Sequence, residues 1–183
     1  MHATPTITAR YSLTAIVLHW VLALAIIGAF CFGLYMTSLP FSMTRLKLFN
    51  WHKWAGVTIL LLSALRLLWR LFNKPPADLP APAWQLTAAH VTHWLLYAFF
   101  FAVPLSGWAY SSAAGFPIVW FGVLPLPDLL APDKALAETL KQAHHLLAYA
   151  LAALVLAHIG AAFKHQFIDR DGLIQRMLPA GRR

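Results

Sequence analysis

Hydrophobic positions along this chain fall into four long blocks, near residues 14–36, 49–72, 88–110 and 141–164, separated by segments rich in proline and charge. Each block reaches the roughly 20 apolar residues that a helix needs to cross a hydrocarbon core. The pattern predicts an all-α membrane protein, a four-transmembrane-helix bundle in one integral membrane domain spanning 1–183. The first block starts too late and runs too long for an ordinary secretory signal, so it is expected to stay as a helix. The 73–83 linker, NKPPADLPAPA, reads as a stiff extended loop. The 111–140 connection carries Pro117, Pro125, Pro127 and Pro132, which argue against a fifth span. Its Trp120 and Phe121 suit an interfacial or re-entrant cap lying over the outer end of the bundle. Pro104 and Gly107 predict a kink or a loosened last turn in the third span.

Composition agrees with this picture, since hydrophobic residues make up 60% of the 183 residues. A net charge of +8 raises nucleic acid as a partner, but the basic residues sit at span ends and no recognition motif accompanies them. They read better as topology signals, with membrane lipid as the partner. One side of the bundle receives Arg10, Arg66, Arg70, Lys74, Lys164, Arg170, Arg176, Arg182 and Arg183; the other receives Arg45, Lys47, Lys53, Lys134 and Lys141. The positive-inside rule then places both termini and the 73–87 loop in the cytoplasm. Cys31 is the single cysteine, which excludes an internal disulfide and a thiolate-held iron–sulfur cluster.

Imidazoles inside a bilayer are costly unless they bind something. His19 lies about one turn into the first span and His52 about one turn into the second, while the fourth carries His144 and His158. Fourteen residues of helix separate the last two by about 21 Å and return the second ring to within about 40° of the first. His19 therefore matches the depth of His158, and His52 that of His144. Structural zinc would gather four ligands at one point, whereas these depths sort the histidines into pairs. A pair suits the two axial positions of haem iron. No CxxCH is present, so a non-covalent b-type haem at each level is implied. His145 competes with His144, but the angular match to His158 favours His144. Gly56, one turn after His52, would let a flat macrocycle approach the backbone. Arg10, Arg66 and Arg70 could neutralise propionates on the cytoplasmic side, and Lys53 and Lys141 on the outer side. His90, His93 and His165 have surface polarity, propionate contact or proton delivery open to them, and His2 has no evident role.

With RYSLTAIVLHW, WHKWAG, RLLWR, AHVTHWLLY, VPLSG and KQAHHLLAYALAALVLAHIG in this order, the chain resembles the bacterial cytochrome b561 family over nearly its whole length. The resemblance implies His19 with His158 at a cytoplasmic haem, His52 with His144 at an outer haem, and Arg66 as a propionate partner. It also implies a bacterial inner-membrane electron carrier exchanging electrons with the quinone pool. One branch of the family passes the electron of superoxide to ubiquinone; other members are cytochrome subunits serving a separate dehydrogenase or hydrogenase.

Overall fold

The computed structural model describes residues 10–179; His2 and the basic pair Arg182 and Arg183 lie outside that range. Four long helices cross the molecule: α1 (Leu13–Ser38), α2 (Met43–Phe72), α3 (Ala83–Ala113) and α4 (Lys134–Lys164). All four are long and apolar enough to span a membrane, and the protein is a multi-pass four-helix membrane bundle. The helices run past their apolar blocks; α2 begins at 43 rather than 49, and α4 at 134 rather than 141. Hydropathy marks only the part a bilayer would hide, whereas the helix continues to wherever its free N–H groups find a cap. Ser12 Oγ accepts from Ala15 N, Ser42 Oγ from Arg45 N, and Asp133 Oδ1 from both Ala135 N and Leu136 N.

Tyr11 N donates to the Arg176 carbonyl, so both termini meet at one end of the bundle, here the termini end. The opposite end carries a short antiparallel hairpin, β1 (Val119–Trp120) with β2 (Leu124–Pro125). Phe121 and Gly122 turn it with φ of 51° and 73°. The hairpin does not lie over the bundle end as expected. It runs down the flank of α2, where Trp54 Nε1 donates to the Val119 carbonyl and Trp120 Nε1 to Thr58 Oγ1. These two indole bonds, made by side chains pointing along the helix flank, give the connection its direction.

After α4 the chain makes a π turn (His165–Asp169), reverses at Arg170 with φ 53°, and returns through a short 3₁₀ turn (Ile174–Met177). This C-terminal strap is pinned at three points. The buried Arg176 side chain donates to the Ala77 carbonyl at 2.8 Å and lies over the Tyr11 ring, while Trp20 Nε1 donates to the Met177 carbonyl.

The central core is one apolar layer drawn from all four helices: Leu22, Ile26, Ile59, Leu96, Phe100 and Leu151. Leu22 is 1% exposed. Shortening it to alanine removes packing that lipid cannot replace from within, although the transfer term is weaker in lipid than in water. Leu22→Ala should therefore cost about 2 kcal/mol, the low end for buried leucine truncation, measured by SDS-induced unfolding in mixed micelles.

Candidate functional site

Two cavities flank the central layer. The one toward the hairpin end has a volume of about 700 Å³, within the range for ligand sites, and the one toward the termini end about 1010 Å³, at the top of that range. Both are lined mainly by apolar groups from all four helices.

In the hairpin-end cavity, α2 supplies His52 and α4 supplies His144, with ring centroids 6.3 Å apart. The His144 ring is fixed by α3. Its Nδ1 lies 3.0 Å from the Val103 carbonyl, which can only accept, so Nδ1 carries the proton and Nε2 keeps its lone pair. Ser106 Oγ lies 3.1 Å from the same Nδ1 and donates to the same carbonyl. Helix α3 continues through Pro104 to Ala113, and the carbonyl that precedes this proline is the one His144 uses. Glycines let both rings sit against backbone. A Cβ on Gly107 would come within 2.9 Å of His144 Cε1, and one on Gly33 within 3.2 Å of His52 Cε1. Gly56 also lines the cavity, and a Cβ there would meet nothing within 4 Å. The adjacent His145 is exposed, although it reaches the cavity rim.

In the termini-end cavity, His19 of α1 and His158 of α4 have centroids 6.2 Å apart. Arg10, Arg66 and Arg70 line the same space. The guanidinium carbons of Arg66 and Arg70 lie 5.7 and 5.8 Å from the Tyr97 ring centroid, so two cations neighbour one aromatic ring at the cavity wall. Strap residues Leu173, Ile174 and Met177 close another side. His93, for which the sequence left surface polarity, propionate contact or proton delivery open, also lines this cavity, its ring 5.5 Å from that of His158. His90 shares its helix but not its surroundings; it is exposed, with Nε2 3.1 Å from Asp78 Oδ2.

The Nδ1 atoms of His19 and His52 are buried and have no hydrogen-bond partner. Burying a polar group this way is costly unless something at the ring repays it. The pair spacing says what could. With an iron–nitrogen bond of about 2 Å and about 1.1 Å from nitrogen to ring centre, two imidazoles on opposite sides of one iron have centroids ~6.2 Å apart. A tetrahedral metal would bring them to ~5 Å. Both pairs have the wider spacing, so the residues present fit an axially ligated haem.

Among the described residues, the only group of three His, Cys, Asp or Glu side chains with donor atoms all within 4.8 Å is His165, Asp169 and Asp171, outside both cavities. It is an ion-pair knot with Lys164: His165 Nδ1 is 2.5 Å from Asp171 Oδ2, and Lys164 Nζ is 2.5 Å from Asp169 Oδ2. Of the proposed outer propionate partners, Lys53 Nζ donates to the Phe116 and Pro117 carbonyls, and Lys141 pairs with Glu138.

Comparison with known proteins agrees with this geometry. The family model described as prokaryotic cytochrome b561 matches residues 10–180. The chain belongs to the prokaryotic cytochrome b561 family. It is 36% identical over 172 residues to "Cytochrome b561 homolog 2" of Escherichia coli strain K12, covering 92% of this chain and 91% of that protein. "Cytochrome b561 homolog 1" of the same organism is 32% identical over 174 residues, with 93% and 97% covered. A third relative, "Probable superoxide oxidase CybB" of Yersinia pestis, is 31% identical over 175 residues, with 94% and 98% covered. As a cytochrome b561, the protein is a membrane electron-transfer protein of a b-type haem family.

Glycine contacts give a test that needs no cofactor. In protein freed of haem, Gly107→Ala must push the His144 ring aside and should cost about 1–3 kcal/mol as an overpacking change. Gly56→Ala meets open space and should stabilise α2 by about 0.5–1 kcal/mol. SDS-unfolding midpoints of the two variants would check both values.

Proposed function

We propose that this cytochrome holds two b-type haems, one ligated by His19 and His158 and the other by His52 and His144, and carries electrons between a small donor and membrane quinone. The observation that carries the reading is the repeated spacing, 6.2 Å in one cavity and 6.3 Å in the other. When bound, the haems supply one-electron redox chemistry that the side chains cannot. The residues bind, orient and insulate them. With His19 and His158 holding one haem and His52 and His144 the other, each group would relay electrons and would not bind oxygen. Glycine at 33 and 107 presses the rings of His52 and His144 into place, and the hydrogen bond from His144 Nδ1 to Val103 raises the basicity of Nε2. Arg66, with Arg10 and Arg70 beside it, supplies cations for propionates at the termini end. The apolar layer from Leu22 to Leu151 keeps water out of the space between the two sites.

The donor in this reading is superoxide and the acceptor ubiquinone, supported by the relative named a probable superoxide oxidase. Arg45 and Lys53 line the hairpin-end cavity, and Lys47 lies on the same turn of α2 as Arg45, a local positive field suited to drawing in an anion. We place the protein in the bacterial inner membrane with both termini cytoplasmic, from the excess of basic residues at the termini end.

Haem stoichiometry tests the ligand assignment. Purified His52→Ala and His19→Ala proteins should each keep one haem instead of two by pyridine haemochromogen assay, with different residual spectra; retention of both haems in either variant would reject it. For the donor, anaerobic protein mixed with superoxide and then quinone should show haem reduction followed by reoxidation. The reduction rate should fall as salt rises from 0.01 to 0.15 M, because the Debye length shrinks from about 30 Å to about 8 Å. A rate indifferent to salt would remove the steering role of Arg45, Lys47 and Lys53.

A further inference from the structure

The hairpin on the flank of α2 reaches further into the bundle than a surface loop does. Trp120 Nε1 bonds Thr58 Oγ1 at 3.3 Å. Thr58 lies six residues beyond His52 toward the termini end, about 9 Å along the helix axis. Through the Trp120 side chain the hairpin thus reaches past the level of His52 on α2, a helix that spans the membrane.

Backbone inside a bilayer is tolerated only if its polar groups find partners within the protein. Many in this segment have them, with donors largely on neighbouring helices. The Phe116 carbonyl accepts from Ser111 Oγ and Lys53 Nζ, the Pro117 carbonyl from Lys53 Nζ, and the Val119 carbonyl from Trp54 Nε1 and Gly122 N. Leu126 N donates to the Ile118 carbonyl, Val123 N to the Trp120 carbonyl, and Trp108 Nε1 to the Pro127 carbonyl. Prolines at 117, 125 and 127 have no N–H to satisfy. Lys53, beside the hairpin base, donates to two of these carbonyls.

The side chains divide by face. Ile118 is 3% exposed and lines the hairpin-end cavity, whereas Val119, Val123 and Leu124 are exposed, Val123 at 83%, and Phe121 is partly exposed beside the Trp54 ring. No charged residue occurs from Gly115 to Leu126. An outward apolar face of this kind in water would be a liability. Here it is continuous with the exposed apolar surface of α2, including Leu61.

We propose that the β1–β2 hairpin is a re-entrant element whose outward face is embedded among lipid acyl chains, making it a lipid-facing wall of the hairpin-end cavity. The partner is the bilayer, not water and not a second protein. This inference does not depend on what the cavity holds.

Site-directed spin labelling of the haem-loaded full chain in phosphatidylcholine vesicles tests it. Nitroxides are placed at Val123→Cys, and separately at Leu124→Cys, in a Cys31→Ala background, with Leu61→Cys as the lipid reference and Lys47→Cys as the aqueous one. An unchanged haem spectrum shows that each variant is folded. The expected result is that both hairpin labels match Leu61→Cys, with high collision rates for oxygen and severalfold lower rates for a water-soluble nickel chelate than at Lys47→Cys. Nickel accessibility equal to that at Lys47→Cys would overturn the proposal in favour of an aqueous loop. Low accessibility to both reagents would overturn it in favour of a covering protein.

Discussion

Two pairs of imidazoles, held 6.2 and 6.3 Å apart inside an apolar bundle, constrain what nearly every neighbouring residue can be. A ring that must meet another across such a gap cannot be pushed by a side chain from behind, so Gly33 and Gly107 stand where a Cβ would touch His52 and His144. Nor can the gap be collapsed by packing. Between the two cavities the buried apolar side chains form one thin layer, from Leu22 to Leu151. The bundle is built around two spaces with that layer between them.

The same constraint shows how polar groups are distributed. At the hairpin end, the carbonyl before Pro104 receives the His144 proton. A proline that would otherwise disturb a helix becomes part of the support for the His144 ring. At the termini end, Arg66 and Arg70 both neighbour the Tyr97 ring, and the His158 ring has His93 as a second imidazole neighbour besides His19. This end is the richer in cations and also the one closed by a strap. Charge and access are thus arranged differently at the two levels although the imidazole spacing is nearly the same.

Much of this was legible in the sequence because helical periodicity is rigid. The fourteen-residue interval between His144 and His158 fixes their relative height and azimuth, and depth then selects His19 and His52 as neighbours. Helix limits were less legible, since the apolar blocks start near 49 and 141 while the helices begin at Met43 and Lys134, capped by Ser42 and Asp133. The course of the 111–140 connection was not legible at all. It turns on indole hydrogen bonds from Trp54 and Trp120, contacts between segments some 65 residues apart that no local pattern encodes. His93 was ambiguous for a similar reason: it shares a helical face with His90, but only the packing of α3 against α4 separates a cavity wall from a surface ion pair. Gly107 offered a faint signal, a residue without a side chain in an otherwise bulky stretch.

Both cavities take an imidazole from α4, an unbroken helix from Lys134 to Lys164. One rigid rod therefore acts as the ruler between the two sites, setting their spacing near 21 Å by its pitch alone. Loops at either surface can breathe without altering that interval. Any exchange whose rate decays steeply with distance is buffered against their motion.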